Sequence, residues 1–452
     1  MRGNTKYYQV LPEKVINDLP VISELLAPTI KGFNVDCMKE IISLIAIHVQ
    51  KKSGSAPLKM VYLKKLVPQA DKYINGLIEL GVIQREGRYI PGEISYCYRF
   101  TPEYNSKYKT VTLDNAKLIR RIRNVWNDLN REATKSIRGR SEQRQFLKKL
   151  TITGEFETYL NQNGYSIDQF NAALGSATRI KNGDIFYSVD NTSKRFHSNV
   201  TNISKVLRPF LRINDEPLVN IDVKNCQPYL STIILTNPSK VSWLTENPVF
   251  ALLLQSLKVS HNKDVKNYIY LVANGQLYEY MMTAFADEGL TLNRDETKEQ
   301  ILRILFARNR PPKDPVNRIA RDIFKREFPT VHRIFSKVRG SMKGNKFENF
   351  KRFSILLQRI ESYLMLDIVL KRIYRELPGT IAVTIHDSIM TGILTNNIEA
   401  VRKIIHEELT FFVGIEPKIE IEGKLREKEK EGREGREKEI IKYYDATTFV
   451  KN

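Results

Sequence analysis

Cysteine is scarce in this chain of 452 residues: Cys37, Cys97 and Cys226 are the three, and no two are near in sequence. That excludes a disulfide scaffold and a cysteine-rich zinc site, and it fits a reducing compartment. Long apolar runs are missing too. The run 249–254 stops at Gln255, well short of the roughly 20 residues that cross a bilayer. Residues 1–6 lack the apolar core of a secretory signal. With 18 prolines, 22 glycines and 42% hydrophobic residues, wholesale disorder is excluded as well. The expectation is a soluble, cytoplasmic protein of about two to four domains with no membrane partner.

Acidic residues are outnumbered, 51 against 72 Lys and Arg, leaving a net charge of +21. Such a balance speaks of partners rather than fold, and the commonest polyanionic partner is nucleic acid.

Residues 37–100 read as one unit. Apolar spacing predicts a buried helix over 37–49, a short helical stretch at 61–66 and an amphipathic helix over 69–80 ended by Gly81. Strands are predicted over 82–90 and 94–100, around Pro91 and Gly92. Three helices and a hairpin resemble a winged helix-turn-helix. That resemblance implies a 69–80 helix in a major groove and a hairpin on the backbone. Protein contact is the other use of such a module.

Residues 110–150 are predicted helical and are rich in Lys and Arg, with Lys117, Arg120, Arg123 and Arg131 among them and few acids between. Phosphate contact without base reading is the favoured use. By contrast, 424–439 is of low complexity and nearly balanced charge, read as an exposed helix or a flexible insertion without chemistry. Apolar residues return from Ile440, so the tail is expected to dock again.

Two β-rich runs end in aspartate: 217–222 reaches Asp222, and 380–387 closes on His386 and Asp387. Two carboxylates held together raise each other's proton affinity unless a cation lies between them. Hard oxygens suit Mg²⁺, which needs few protein ligands when phosphates supply others. Each aspartate alone is equally a turn former. Between them Arg294, Lys298, Leu302 and Phe306 stand at four-residue steps, one helical stripe drifting by about 40° per step. Two cations followed by an aromatic suit a nucleoside triphosphate, although an amphipathic surface helix gives the same spacing.

In order, Asp222 with Gln227, then Arg294, Lys298 and Phe306, then Gln358, then His386 with Asp387 resemble the motifs of family A polymerases. That superfamily holds DNA polymerases and the single-subunit RNA polymerases of phages and mitochondria. Supporting pieces are 275–279 before the cationic helix, 328–331 after it, and 358–362, read as opening a helix toward the second aspartate. The resemblance covers about 190–430. It implies an α+β right-hand polymerase fold, with an antiparallel palm sheet and helical fingers and thumb. With the winged-helix resemblance, which is not standard family A equipment, and the charge pattern added, the expected domains are a winged-helix-like 1–105, a basic thumb-like 106–215, palm and fingers over 216–425, a charged insertion 426–439 and a tail 440–452.

The same resemblance implies two Mg²⁺ ions held by Asp222, Asp387 and the carbonyl of Val223. Arg294 and Lys298 would grip the triphosphate, with Lys298 protonating the leaving group. Phe306 would lie under the nascent base pair, and Gln358 and His386 would approach the primer terminus or minor groove. Arg195 and Asn202 resemble template-strand contacts. The implied partners are a DNA primer-template, nucleoside triphosphates with dNTPs favoured, and other replication proteins, while the winged helix suggests origin or promoter docking by a mobile element or phage-like replicon.

The departures bear on sugar choice. Gln227 stands where the DNA polymerases usually carry a glutamate, Phe306 replaces a tyrosine and Ala307 a glycine, while Ser388 looks like the RNA polymerase version. No Asp-x-Glu triplet occurs, so no proofreading is expected. The alternatives are a single-subunit RNA polymerase or primase-like enzyme, a non-enzymatic replication initiator, a catalytically dead polymerase fold, and an HD-type phosphohydrolase using His386 and Asp387.

Overall fold

The computed structural model describes residues 6–50, 53–88, 90, 95–136, 141–259, 262–340, 351–394, 397–422, 424–427 and 440–443. Helices and antiparallel strands mix throughout, as in an α+β protein. Two compact units divide the chain: Met1–Ser188 with His197–Leu218, and Val189–Phe196 with Val219–Tyr443. No helix among the described residues is long and apolar enough to cross a membrane.

The chain first runs β1 (Tyr7–Pro12), α1 (Glu13–Leu26), α2 (Val35–His48), β2 (Ala56–Pro57), α3 (Met60–Leu66), α4 (Ala70–Glu79), β3 (Ile83–Glu86), β4 (Cys97–Phe100) and β5 (Tyr108–Leu113). Then come α5 (Ala116–Ser136), α6 (Ser141–Leu147), β6 (Leu150–Ile152), α7 (Glu155–Gln162), α8 (Ile167–Asn182), β7 (Tyr187–Val189), β8 (Phe196–Ser198), α9 (Asn199–Asn202) and β9 (Leu211–Ile213).

α2 starts two residues earlier than its apolar spacing indicates, because Asn34 caps it by accepting from the Asp36 and Cys37 amides. Ala70, Tyr73, Ile74 and Leu77 form the buried face of α4, and Gly81 turns the chain at φ +68°. β4 is central to a three-stranded sheet, pairing antiparallel with β2 and β3. The predicted strands thus shorten to 83–86 and 97–100, with 89 and 91–94 outside the described residues. The helical reading of 110–150 needs correction at its start. Tyr108–Leu113 is a strand, pairing with β1 from Tyr7 opposite Leu113 to Pro12 opposite Tyr108. Its β-branched Thr110, Val111 and Thr112 favour extended backbone once a partner strand is available.

β10 (Glu216–Val223) carries the chain from the first unit into the second at Val219, and the second continues through α10 (Cys226–Thr236), α11 (Pro248–Ser256), α12 (Lys263–Ala273), α13 (Leu277–Ala286), α14 (Arg294–Phe306), α15 (Pro315–Glu327) and α16 (Pro329–Gly340). It ends with α17 (Lys351–Ser362), α18 (Leu370–Glu376), β11 (Ala382–Ile385), β12 (Ser388–Gly392), α19 (Ile398–Val413), β13 (Ile419–Glu422), β14 (Lys424–Glu427) and β15 (Ile440–Tyr443). β10 bonds to both β12 and β13, and β11 lies beyond β12. One apolar core joins alternate residues of β10 to the helices, with Tyr268 meeting Phe324, Phe328 and Phe335 edge-on.

Two further expectations change. Residues 358–362 do not open a helix: they close α17, which runs unbroken through a π-helical stretch, Tyr363–Val369, into α18. The charged segment is not helical where described, since β14 pairs antiparallel with β15, Lys424 opposite Tyr443. Residues 428–439 and 444–452 lie outside the described residues.

Candidate active site

Strand alternation explains where the first aspartate stands. Val219, Ile221 and Val223 point into the core, so Asn220 and Asp222 share the opposite face of β10. Beyond Val223 the Lys224 amide donates to the Lys418 carbonyl at 2.8 Å, Asn225 turns left-handed at φ +52°, and α10 begins at Cys226. Gly275 (φ +70°) closes in on this bend. A Cβ there would lie 3.4 Å from the side chains of both Lys224 and Lys418.

The second aspartate is not a strand residue. Ile385 pairs with Ser388, so His386 and Asp387 form the whole turn between β11 and β12, with His386 left-handed at φ +54°. Both strands are buried throughout, which fixes the turn rigidly.

The sheet brings the two carboxylates into one site, because β10 lies beside β12, whose leading turn carries Asp387, and Asp222 feels the Asp387 charge. Burial raises the Asp222 carboxyl pKa, and the charges of Asp387 and Glu422 raise it further, while Lys224 and Lys298 oppose the shift. Burial and then Glu361 raise Asp387, opposed by Arg195 and Lys298. One lysine, Lys298, thus eases both aspartates. It stands exposed on α14, flanking a buried face of Thr297, Ile301, Ile304 and Leu305.

Arg294, one turn earlier, donates from Nε to Glu279 at 2.7 Å and lies 5.5 Å from the centre of the Tyr278 ring. At the other end of α14 the buried Arg339 guanidinium donates to the carbonyls of Ile304 and Leu305. There Phe306 is half-buried, 6.4 Å from Phe353 and edge-on to it.

Sequence reasoning missed Glu361 as a site residue. Its carboxylate, 1% exposed, accepts two hydrogen bonds of 2.8 Å from Arg195 and a third from the Gln227 amide. The signal was present: Phe353, Leu357, Ile360 and Leu364 mark the apolar face of this helix, and a glutamate among them is out of place unless paired. Tyr278, Cys226, Lys224 and Glu422 were missed as well.

The structure therefore gathers Asp222, Asp387, Lys298, Gln227, Arg195 and the backbone of Val223, with Arg294 reached through Tyr278. Gln358 is half-buried on α17, one turn before Glu361. Asn202 belongs to the other unit, at the end of α9, where its side chain accepts from Thr201.

Ligand atoms of Cys226, Glu361 and Asp387 all lie within 4.8 Å of one another. Burial, and then the charges of Asp387, Glu361 and Asp222, push the Cys226 thiol well above its ordinary pKa, so without a cation it is a neutral thiol. Hard donors are abundant instead. Asn220 Oδ1, both amide atoms of Asn225 and Gln227 Oε1 are buried without a hydrogen-bond partner among the described residues. Orphaned amide oxygens around mutually repelling carboxylates fit a hard divalent cation such as Mg²⁺.

No protein-family model matches the chain, and no curated protein does. Among solved structures, the chain is similar to the POL domain of Pol1 from M. smegmatis, solved in complex with DNA primer-template and dNTP, at 11% identity and a TM-score of 0.30. The match covers 67% of this chain and 65% of that one, so the chain spans less than two thirds of that structure. A likeness of this size carries no argument about chemistry, which rests on the side chains above.

Proposed function

We propose that the second unit is a template-directed nucleotidyltransferase that extends a DNA primer from nucleoside triphosphates, dNTPs favoured, without proofreading. The observation that carries this reading is the convergence of Asp222 and Asp387, far apart in sequence, on one site that Lys298 eases from a helix also bearing Arg294. When bound, a pair of Mg²⁺ ions held by Asp222, Asp387 and the Val223 carbonyl would supply activation of the primer hydroxyl and charge neutralisation on the triphosphate.

The chain's own residues do the rest. Lys298 Nζ is the proton donor to the leaving pyrophosphate. Arg294 exchanges Glu279 for substrate phosphate. Phe306 supports the base pair, and Gln227, fixed by Glu361, faces the incoming sugar. Arg195, Asn202, Gln358 and His386 are assigned to the primer and template strands. In the first unit, α4 and the β3–β4 hairpin act as a winged-helix module on duplex DNA, and the exposed Lys117, Arg120 and Arg131 of α5 track phosphates as part of a thumb. Docking at the origin of a phage or mobile replicon is the role we assign to that module.

The test is primer extension with Mg²⁺, offering dNTPs and rNTPs separately, beside Asp222→Ala and Asp387→Ala. Template-dependent extension lost in both variants supports the reading. Absence of extension, with duplex binding intact in all three proteins, would replace it with a non-enzymatic initiator.

A further inference from the structure

Beside Asp222 runs a second acidic strand. β13 pairs antiparallel with β10, with Glu420 directly opposite Asp222 and Glu422 opposite Asn220. Because side chains alternate, Asn220, Asp222, Glu420 and Glu422 lie on one face, while Ile419 and Ile421 pack against the core. The two glutamates are treated differently. Glu420 is paired with the Lys224 ammonium at 2.6 Å. Glu422 accepts from Asn220 Nδ2 at 3.0 Å.

That second contact orients the amide. An ionised carboxylate only accepts, so Asn220 must turn its nitrogen to Glu422 and its oxygen away. Asn220 is 6% exposed, and its Oδ1 has no partner among the described residues. An oxygen acceptor is thus buried beside two carboxylates with nothing to accept from, a pattern that a hard cation resolves. Asp222 and Glu422 are diagonal neighbours across the ladder, with Cβ atoms about 7 Å apart. Side chains of their lengths can meet on one ion at about 2.1 Å from each oxygen.

We propose that Glu422 is a third carboxylate ligand of the divalent-cation site, acting with Asp222 and the amide oxygen of Asn220. The proposal deepens the nucleotidyltransferase reading and rests on it for the cation's role. It concerns binding, so it is tested apart from turnover.

Mn²⁺ is titrated into the full-length protein and the free ion followed by electron paramagnetic resonance, beside Glu422→Gln and Glu420→Gln. The expected result is at least tenfold weaker Mn²⁺ binding in Glu422→Gln and a change within twofold in Glu420→Gln. The melting shift that Mn²⁺ induces should shrink in the first variant alone, while its metal-free melting point stays at or above that of the parent protein, which separates lost ligation from misfolding. Wild-type affinity in Glu422→Gln, equal loss in both variants, or no Mn²⁺ binding by the parent protein overturns the proposal. Primer extension by the parent with unaltered Mn²⁺ binding in Glu422→Gln rejects this ligand alone. Binding lost in Glu422→Gln without extension by the parent keeps the ligand and rejects the polymerase.

Discussion

Arg195 meets Glu361 through two parallel hydrogen bonds, Nε to Oε1 and Nη2 to Oε2, each 2.8 Å long. The geometry is the bidentate one that guanidinium and carboxylate planes favour. It holds a charge that is almost wholly out of water and, through the shared Glu361, orients the Gln227 side chain.

Removing one half of this pair strands the other. Arg195→Ala is expected to lower the unfolding free energy by roughly 3–5 kcal/mol, measured by urea denaturation. Arg195→Ala with Glu361→Gln should cost less than the sum of the single changes, since no buried charge is then left unpaired. Additive losses would show that the two residues do not act as a pair.

Asp222 is raised by the Asp387 charge, and two ionised carboxylates so placed repel unless a cation lies between them. Asp387→Asn should therefore raise the melting point of the metal-free protein, by about 1 kcal/mol of stability, while lowering extension on the order of 10⁴-fold. Melting curves in chelator and single-turnover extension check the two halves separately. A destabilised Asp387→Asn protein would contradict the repulsion.

A pH dependence follows from the first unit, where the buried Glu40 carboxyl accepts from Gln9 and is pushed up to about 8 by burial and then by Asp184, against the Arg179 charge. A carboxyl whose pKa rises on folding contributes stability below its ordinary pKa, and loses it as pH climbs through the folded value. His48, pushed down to about 4, works in the opposite sense but only at lower pH, and Asp184, raised to about 6, has largely titrated before pH 7. Between pH 6.5 and 8 the unit should lose about 1.5 kcal/mol through Glu40, and Glu40→Gln should flatten that slope. Trp126, which lines the same cavity, reports it in a Trp243→Phe background, since the chain has two tryptophans.

Arg339 fastens the last turn of α14 by donating to the Ile304 and Leu305 carbonyls. Arg339→Ala should cost roughly 2–4 kcal/mol, because buried carbonyls lose charged donors. Hydrogen exchange should quicken at 303–307 and leave α12 unchanged. Uniform exchange changes would instead mean a global loss.

How much of this was legible depended on how local each signal is. α14 could be read because its stripe and buried face are written within Arg294–Phe306, directly after the capping Asn293. The helices and hairpin of 35–100 were legible for the same reason. β5 was not, since its partner β1 lies at the far end of the sequence stretch that separates them. Asp222 stood out at the end of an apolar alternation, but Glu422 was hidden in a charged stretch whose meaning comes only from its register against β10. Glu361 carries only half of its signal locally, a glutamate on an apolar helix face, because its partner Arg195 lies 166 residues away in sequence.

The pairing of β10 with β13 makes loop length matter more than loop composition. Gly414 ends α19 and four residues, 415–418, lead to Ile419. A deletion of one residue there shifts the strand by one place and exchanges its two faces. Ile419 and Ile421 would then stand beside Asp222, and Glu420 and Glu422 would be driven into the hydrocarbon core. Substitutions along this connection should be widely tolerated, whereas insertions and deletions should be selected against.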